Sequence, residues 1–104
     1  MSLDISLFEK IEAEVVNKNI THNLGPMWKE AGIYEALYES EGKKAKEVLP
    51  ILKKGLLKMI EDPEHYRKFD SPNGWGLYEN AVPWLFNLIE QFEKHPEGII
   101  RISR

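Results

Sequence analysis

From Lys43 to Glu61 the sequence KKAKEVLPILKKGLLKMIE sets Ala45, Val48, Leu49, Leu52, Leu56, Met59 and Ile60 along one side of a helix, with Lys43, Lys46, Lys53, Lys54 and Lys58 on the opposite arc. An apolar stripe of that length is stable only when another element covers it. A second stripe runs from Leu77 to Lys94, where Leu77, Ala81, Trp84, Leu85, Leu88, Ile89 and Phe92 share a face. The chain must therefore build its core around long helices. Each has an internal proline, Pro50 and Pro83, which predicts a kink or, for the first, a start near Glu47. Gly55 suggests a close neighbour.

A third helix is predicted after Asn23, with Asn23 or Gly25 as N-cap and Pro26 in the first turn, where its missing N–H costs nothing. At 100° per residue Met27, Ala31, Ile33, Tyr34, Leu37 and Tyr38 gather on one side, whereas Trp28 points with Glu35 and Glu39. Trp28 is accordingly expected to be more exposed than Trp84. ESEG (39–42) breaks the pattern, DPEHYRKF (62–69) reads as a short helical turn opened by Asp62 and Pro63, and DSPNGWG (70–76) reads as loop.

Both ends look extended. In KIEAEVV, Ile11, Ala13 and Val15 alternate with Glu12 and Glu14, and in IIRIS, Ile100 and Ile102 alternate with Arg101 and Ser103. Residues 3 to 10 fit either helical spacing or alternation; Asn17 to Asn19 interrupt the extended run, which Ile20 to His22 resume. The predicted fold class is α+β: three main helices packed with a small sheet formed by the N-terminal extended segment and the C-terminal strand. With 104 residues, one domain spanning 1–104 is expected.

Composition narrows the function classes. Hydrophobic residues at 42% and charged residues at 30% describe a globular chain, and with no cysteine there is no disulfide, thiolate metal site or cysteine nucleophile. No run is apolar enough to span a bilayer, and the start MSLDISLFEK has no secretory pattern, which predicts a cytoplasmic protein without membrane contact. Residues 1–42 hold eight acids and three bases, residues 43–68 eight bases and four acids. A net charge of −3 makes nucleic-acid binding an unexpected use of that basic region, which as an arc opposite an apolar stripe also fits a solvated face. His22, His65 and His95 are scattered without ligand spacing, so no metal or cofactor is predicted. No serine lies in a G-x-S-x-G setting, and no carboxylate pair is marked out by an apolar environment.

Two short stretches hold the candidate binding residues. In ITHNLGPMW, His22 and Asn23 stand where a strand gives way to a helix, a place where backbone N–H groups can receive an anion; alternatively Asn23 caps the helix and His22 bonds a carbonyl. In NGWGLYE, glycines on either side of Trp75 would let backbone approach a ligand; alternatively Asn73-Gly74 makes a turn and Trp75 folds over the core. A P-loop is not indicated, because no lysine follows at the required spacing.

The blocks ITHNL (20–24), AGIYEAL (31–37), KAKEVLPIL followed by GL (44–56), NGWGLYE (73–79) and IRISR (100–104) together resemble a family of small uncharacterised proteins associated with bacteriophages and related bacterial genes. The resemblance covers most of residues 20–104 and implies no particular activity. It leaves a non-enzymatic binding or protein-interaction domain as the leading expectation, with a protein partner or self-association through a sheet edge or helix face. The alternative is a small-ligand pocket, nucleotide-like or hydrolytic, in which His22, Asn23, Trp75, Tyr78 and Glu79 converge.

Overall fold

The computed structural model describes residues 2–9 and 13–104. Strands β1 (Ser2–Glu9) and β2 (Ala13–Thr21) pair antiparallel, and β3 (Ile99–Ser103) pairs antiparallel with the other side of β1, giving the order β2-β1-β3. A 3-10 turn (His22–Leu24) follows β2. Helices α1 (Gly25–Glu30), α2 (Tyr34–Tyr38), α3 (Ala45–Glu61), α4 (Pro63–Arg67) and α5 (Tyr78–Lys94) then follow, with α5 packed on β2, α3 on α5, and α4 against both α3 and α5. The fold is α+β, as expected, with the N-terminal segment folded back on itself as two strands.

Alternation decides which face is covered. Leu3, Ile5 and Leu7 of β1 are fully buried; opposite them stand Ile20, Lys18 and Val16 on one side and Ile102 and Ile100 on the other. The pairing shifts register between Leu7 and Phe8, so that Val16 faces Leu7 while Glu14 faces Phe8 and Val15 is left over. One bulged residue flips the parity of all that follows. The predicted inward set Ala13 and Val15 is thereby corrected to Val16, Lys18 and Ile20, and β2 runs unbroken through Asn17 to Asn19. Ala13 is exposed and Val15 only half-buried; Ile11 lies outside the described residues. Lys18 reaches over the core face, where its Nζ donates to Asn87 Oδ1 of α5 at 2.6 Å.

The helix predicted after Asn23 is two helices. Gly32, at φ +78°, takes the left-handed conformation that ends α1, and Ile33 N–H bonds Trp28 C=O (3.0 Å) while Gly32 N–H bonds Lys29 C=O (3.1 Å). The break rotates the inward face between α1 and α2. Trp28 is consequently buried with Met27 and Leu24, the reverse of the expected order, since Trp84 is only half-buried. The two indoles sit 5.9 Å apart, and Trp28 Nε1 has no hydrogen-bond partner among the described residues.

α3 and α5 form the helical layer against which the sheet closes. α3 begins at Ala45, not near Glu47: the Ala45 and Lys46 N–H groups donate to the Gly98 and Pro96 carbonyls (2.9 Å each), and Glu47 Oε2 accepts the Lys44 N–H. Both helices continue through their prolines. Pro50 and Pro83 are exposed, as are Lys46 and Glu79 four residues earlier, so the carbonyls deprived of a partner lie on the wet side. Gly55 packs against α2's approach, where a β-carbon would collide with Ile33 Cγ2. Ile60, expected in the buried stripe, is 49% exposed. The outer edge of β3 is occupied by the 42–44 segment, through Gly42 N–H to Ile100 C=O and Ile100 N–H to Lys43 C=O, both 2.8 Å.

Candidate functional site

Three consecutive residues of the 3-10 turn point three ways, as a repeat of about 120° per residue requires. Leu24 enters the core and is fully buried. His22 turns toward α2, where its Nδ1 and Tyr38 Oη share a 2.8 Å hydrogen bond. Asn23 turns toward the 71–77 loop, where its Nδ2 donates to the Trp75 carbonyl at 2.7 Å. Neither predicted residue is the cap: α1 starts from Leu24 without a side-chain cap bond, and the 3-10 turn before it is capped by Thr21, whose Oγ1 accepts the Asn23 N–H (3.2 Å).

The loop facing Asn23 is tightly bonded for so short a segment. Asn73 Oδ1 accepts from both Ser71 Oγ (2.7 Å) and Trp75 N–H (2.9 Å), Gly74 N–H donates to Ser71 C=O (3.1 Å), and Ser71 N–H to Gly76 C=O (3.0 Å). Gly76 adopts φ +117°, and a β-carbon there would meet Asn23 Cβ at 2.9 Å. Trp75 is held by its backbone on two sides, yet its side chain is 72% exposed, the most exposed large apolar residue among those described. The reading that folds Trp75 over the core is therefore corrected.

Between this loop and the end of the β1–β2 hairpin lies a groove of about 710 Å³, bordered by Asn19, Thr21, Asn23, Asn73, Trp75 and Asn80, with Ser2, Ile20, Leu24, Gly74 and Gly76 completing it. Its volume falls within the range of about 300–1,000 Å³ common to small-molecule sites. None of these eleven residues carries an ionisable side chain. The polar complement is amide and hydroxyl, set around one indole.

His22 belongs to a separate concavity of about 450 Å³ lined by Lys29, Tyr34, Tyr38 and Arg104. Tyr34 stacks on Tyr38 at 4.4 Å, Lys29 Nζ lies 4.7 Å from the Tyr34 ring centroid, and the Arg104 guanidinium lies 5.8 Å from that of Tyr38. Burial, reinforced by Tyr34 and opposed by Arg104, pushes the Tyr38 phenol up to about 12. It stays protonated at neutral pH.

The five residues predicted to converge are thus divided. Asn23 and Trp75 meet; His22 faces the tyrosines. Tyr78 is buried, its O–H donating to the Met59 carbonyl (2.8 Å) and its N–H to Asp70 Oδ1 (2.6 Å), which fixes the start of α5 against the end of α3. Glu79 is exposed in the first turn of α5 and borders neither concavity. The groove's other asparagines, Asn19, Asn73 and Asn80, were not singled out by sequence. Only Asn73, as part of a turn dipeptide, gave any signal there.

Elsewhere, Glu97 accepts from Lys46 (2.7 Å) and Lys44 (2.9 Å), and Lys53 pairs with Glu93 (2.6 Å), so part of the basic arc is matched by acids of the same chain. Those two lysines hold the Glu97 carboxyl down to about 2. Among the described residues no group of three or more histidines and carboxylates is placed to hold a metal ion, and no helix is long and apolar enough to cross a membrane. No protein-family model, curated protein or solved structure matches this chain.

Proposed function

We propose that this chain is a non-enzymatic binding domain of the phage type its sequence blocks resemble, acting in the cytoplasm, and that its ligand seats on Trp75. The observation that carries this reading is an indole 72% exposed on a loop whose backbone is fixed by Asn23 and Asn73. Burying a freely exposed tryptophan costs rotational freedom; a loop already fixed reduces that cost and leaves the indole's large apolar surface to stabilise a complex. Two of the blocks behind the resemblance, ITHNL and NGWGLYE, supply the two halves of this contact. A hydrolytic role is disfavoured by the groove's chemistry, since no side chain bordering it can exchange a proton near neutral pH.

Fragment screening by two-dimensional NMR tests this. Neutral polar fragments are expected to shift the Trp75 indole, Asn23 and Asn80 signals. The shifts should vanish in Trp75→Ala, whose melting temperature should stay close to that of wild type because so little of the side chain is buried. Fragment shifts that persist in Trp75→Ala would refute the reading.

A further inference from the structure

Resting on the proposed binding role of the Trp75 groove, we infer that its ligand is a neutral saccharide, with one pyranose ring stacked on the indole and its hydroxyls bonded to the surrounding asparagines. Among the described residues no ionisable side chain lines the groove, which favours a neutral ligand. A nucleotide or an acidic peptide would bring anions to a surface where Asn19, Thr21, Asn23, Asn73 and Asn80 offer no cation, and where the Asp4 carboxylate accepts from Asn19 Nδ2 at 2.6 Å. An apolar peptide would bury these amides without partners, which costs stability for each polar group left unsatisfied.

What remains unbonded describes the complement. Asn23 Nδ2 is engaged by the Trp75 carbonyl but its Oδ1 is open; Thr21 Oγ1 accepts from Asn23 N–H and keeps its own proton to donate; Asn80 makes no side-chain hydrogen bond to a described residue. The set therefore offers both donors and acceptors within one groove. A sugar hydroxyl is likewise one donor and two acceptors, so each can answer an amide in both senses. A pyranose also presents a face of C–H bonds, electropositive at hydrogen, which suits the negative face of an indole. An exposed aromatic platform beside neutral amides thus matches both halves of a sugar's surface at once.

The experiment is a parallel NMR titration of wild type, Trp75→Ala, Trp75→Phe and Asn80→Ala with millimolar chitotriose, maltotriose and cellotriose, alongside uridine and a capped neutral tripeptide. Expected is saturable binding of at least one trisaccharide, with shifts at the Trp75 indole and the Asn23 and Asn80 amides. Binding should be lost in Trp75→Ala, retained but weakened in Trp75→Phe, and weakened roughly tenfold in Asn80→Ala, about one charge-neutral hydrogen bond. If no trisaccharide binds but uridine or the tripeptide does so through Trp75, the saccharide inference is overturned and the groove reading stands. If no probe gives Trp75-dependent shifts, both fall. Trisaccharide binding that is unchanged in Trp75→Ala also overturns the inference, because the sugar then sits elsewhere.

Discussion

Replacing Gly76 by alanine should cost much more than the same change at Gly74, two residues earlier in the same loop. Both glycines have positive φ, +80° at Gly74 and +117° at Gly76. At Gly74 a new β-carbon meets nothing within 4 Å, so the cost is conformational alone, about 1–2 kcal/mol. At Gly76 the backbone lies farther from the region that L-residues tolerate, about 1–3 kcal/mol, and the β-carbon arrives 2.9 Å from Asn23 Cβ and 3.3 Å from the Asn23 carbonyl carbon. Neither is the end of a flexible side chain that could swing away. Overpacking of that kind adds about 1–3 kcal/mol, for a total of roughly 2–6 kcal/mol against a stability of about 5–15 kcal/mol for a domain of this size. Urea denaturation of the two variants measures the difference. Asn23→Gly combined with Gly76→Ala removes the nearest clash, and the pair should be non-additive by about 0.5–3 kcal/mol in the direction of rescue. Should Gly76→Ala cost no more than Gly74→Ala, or the double variant show strict additivity, the loop is not braced against Asn23 and the rigidity assigned to Trp75 is wrong.

Acrylamide quenching of single-tryptophan variants should rank Trp75 as most accessible and Trp28 as protected, following exposures of 72% and 0%; equal quenching of the two would contradict the broken first helix. Tyr38 should resist ionisation up to about pH 12, as burial and Tyr34 dictate. Because its folded pKa lies above the ordinary phenol value of 10.0, its contribution to stability is complete below pH 10.0 and lost as pH rises toward 12; a stability curve in which Tyr38→Phe is as steep as wild type in that window would refute this. Glu97, depressed to about 2 by Lys46 and Lys44, has the opposite sign. Its contribution is present above about 4.5 and lost as pH falls through 2, so the small melting-temperature deficit of Glu97→Gln at neutral pH should close near pH 2, and a deficit independent of pH would exclude the ion pairs as its source. Removing residues 99–104 strips β1 of one partner strand and exposes the fully buried Ile100, worth about 1.5–3 kcal/mol for that side chain alone; a truncated chain that melts like the intact one would show the pairing to be dispensable.

The α+β class and both long helices were legible because periodic burial over seventeen residues leaves a repeated signal. Three errors share a cause of smaller scale. A single left-handed glycine, Gly32, re-aimed Trp28; a single bulged residue, Val15, reversed the inward set of β2; and Ile60 fell at the edge of a stripe whose width a wheel cannot fix. Each is a one-residue event inside a pattern that averages over many.

The division of the candidate site has the same origin. His22 and Asn23 are adjacent in sequence, and neighbouring side chains diverge by about 100° or more in a strand, an α-helix or a 3-10 turn alike. What each then meets is set by elements far along the chain: Tyr38 sixteen residues on for His22, Trp75 fifty-two residues on for Asn23. The groove's neutrality likewise depends on register. Ser2 comes opposite Thr21 only through the hairpin pairing, which brings the start of β1 beside Asn23 and the Trp75 loop. A shift of one residue would bring Leu3 to that position and leave an apolar edge where hydroxyls now stand. The bulge at Val15 and the groove some 6 residues beyond it are therefore linked, because the bulge fixes which side chains of β2 reach each face before the strand arrives at the site.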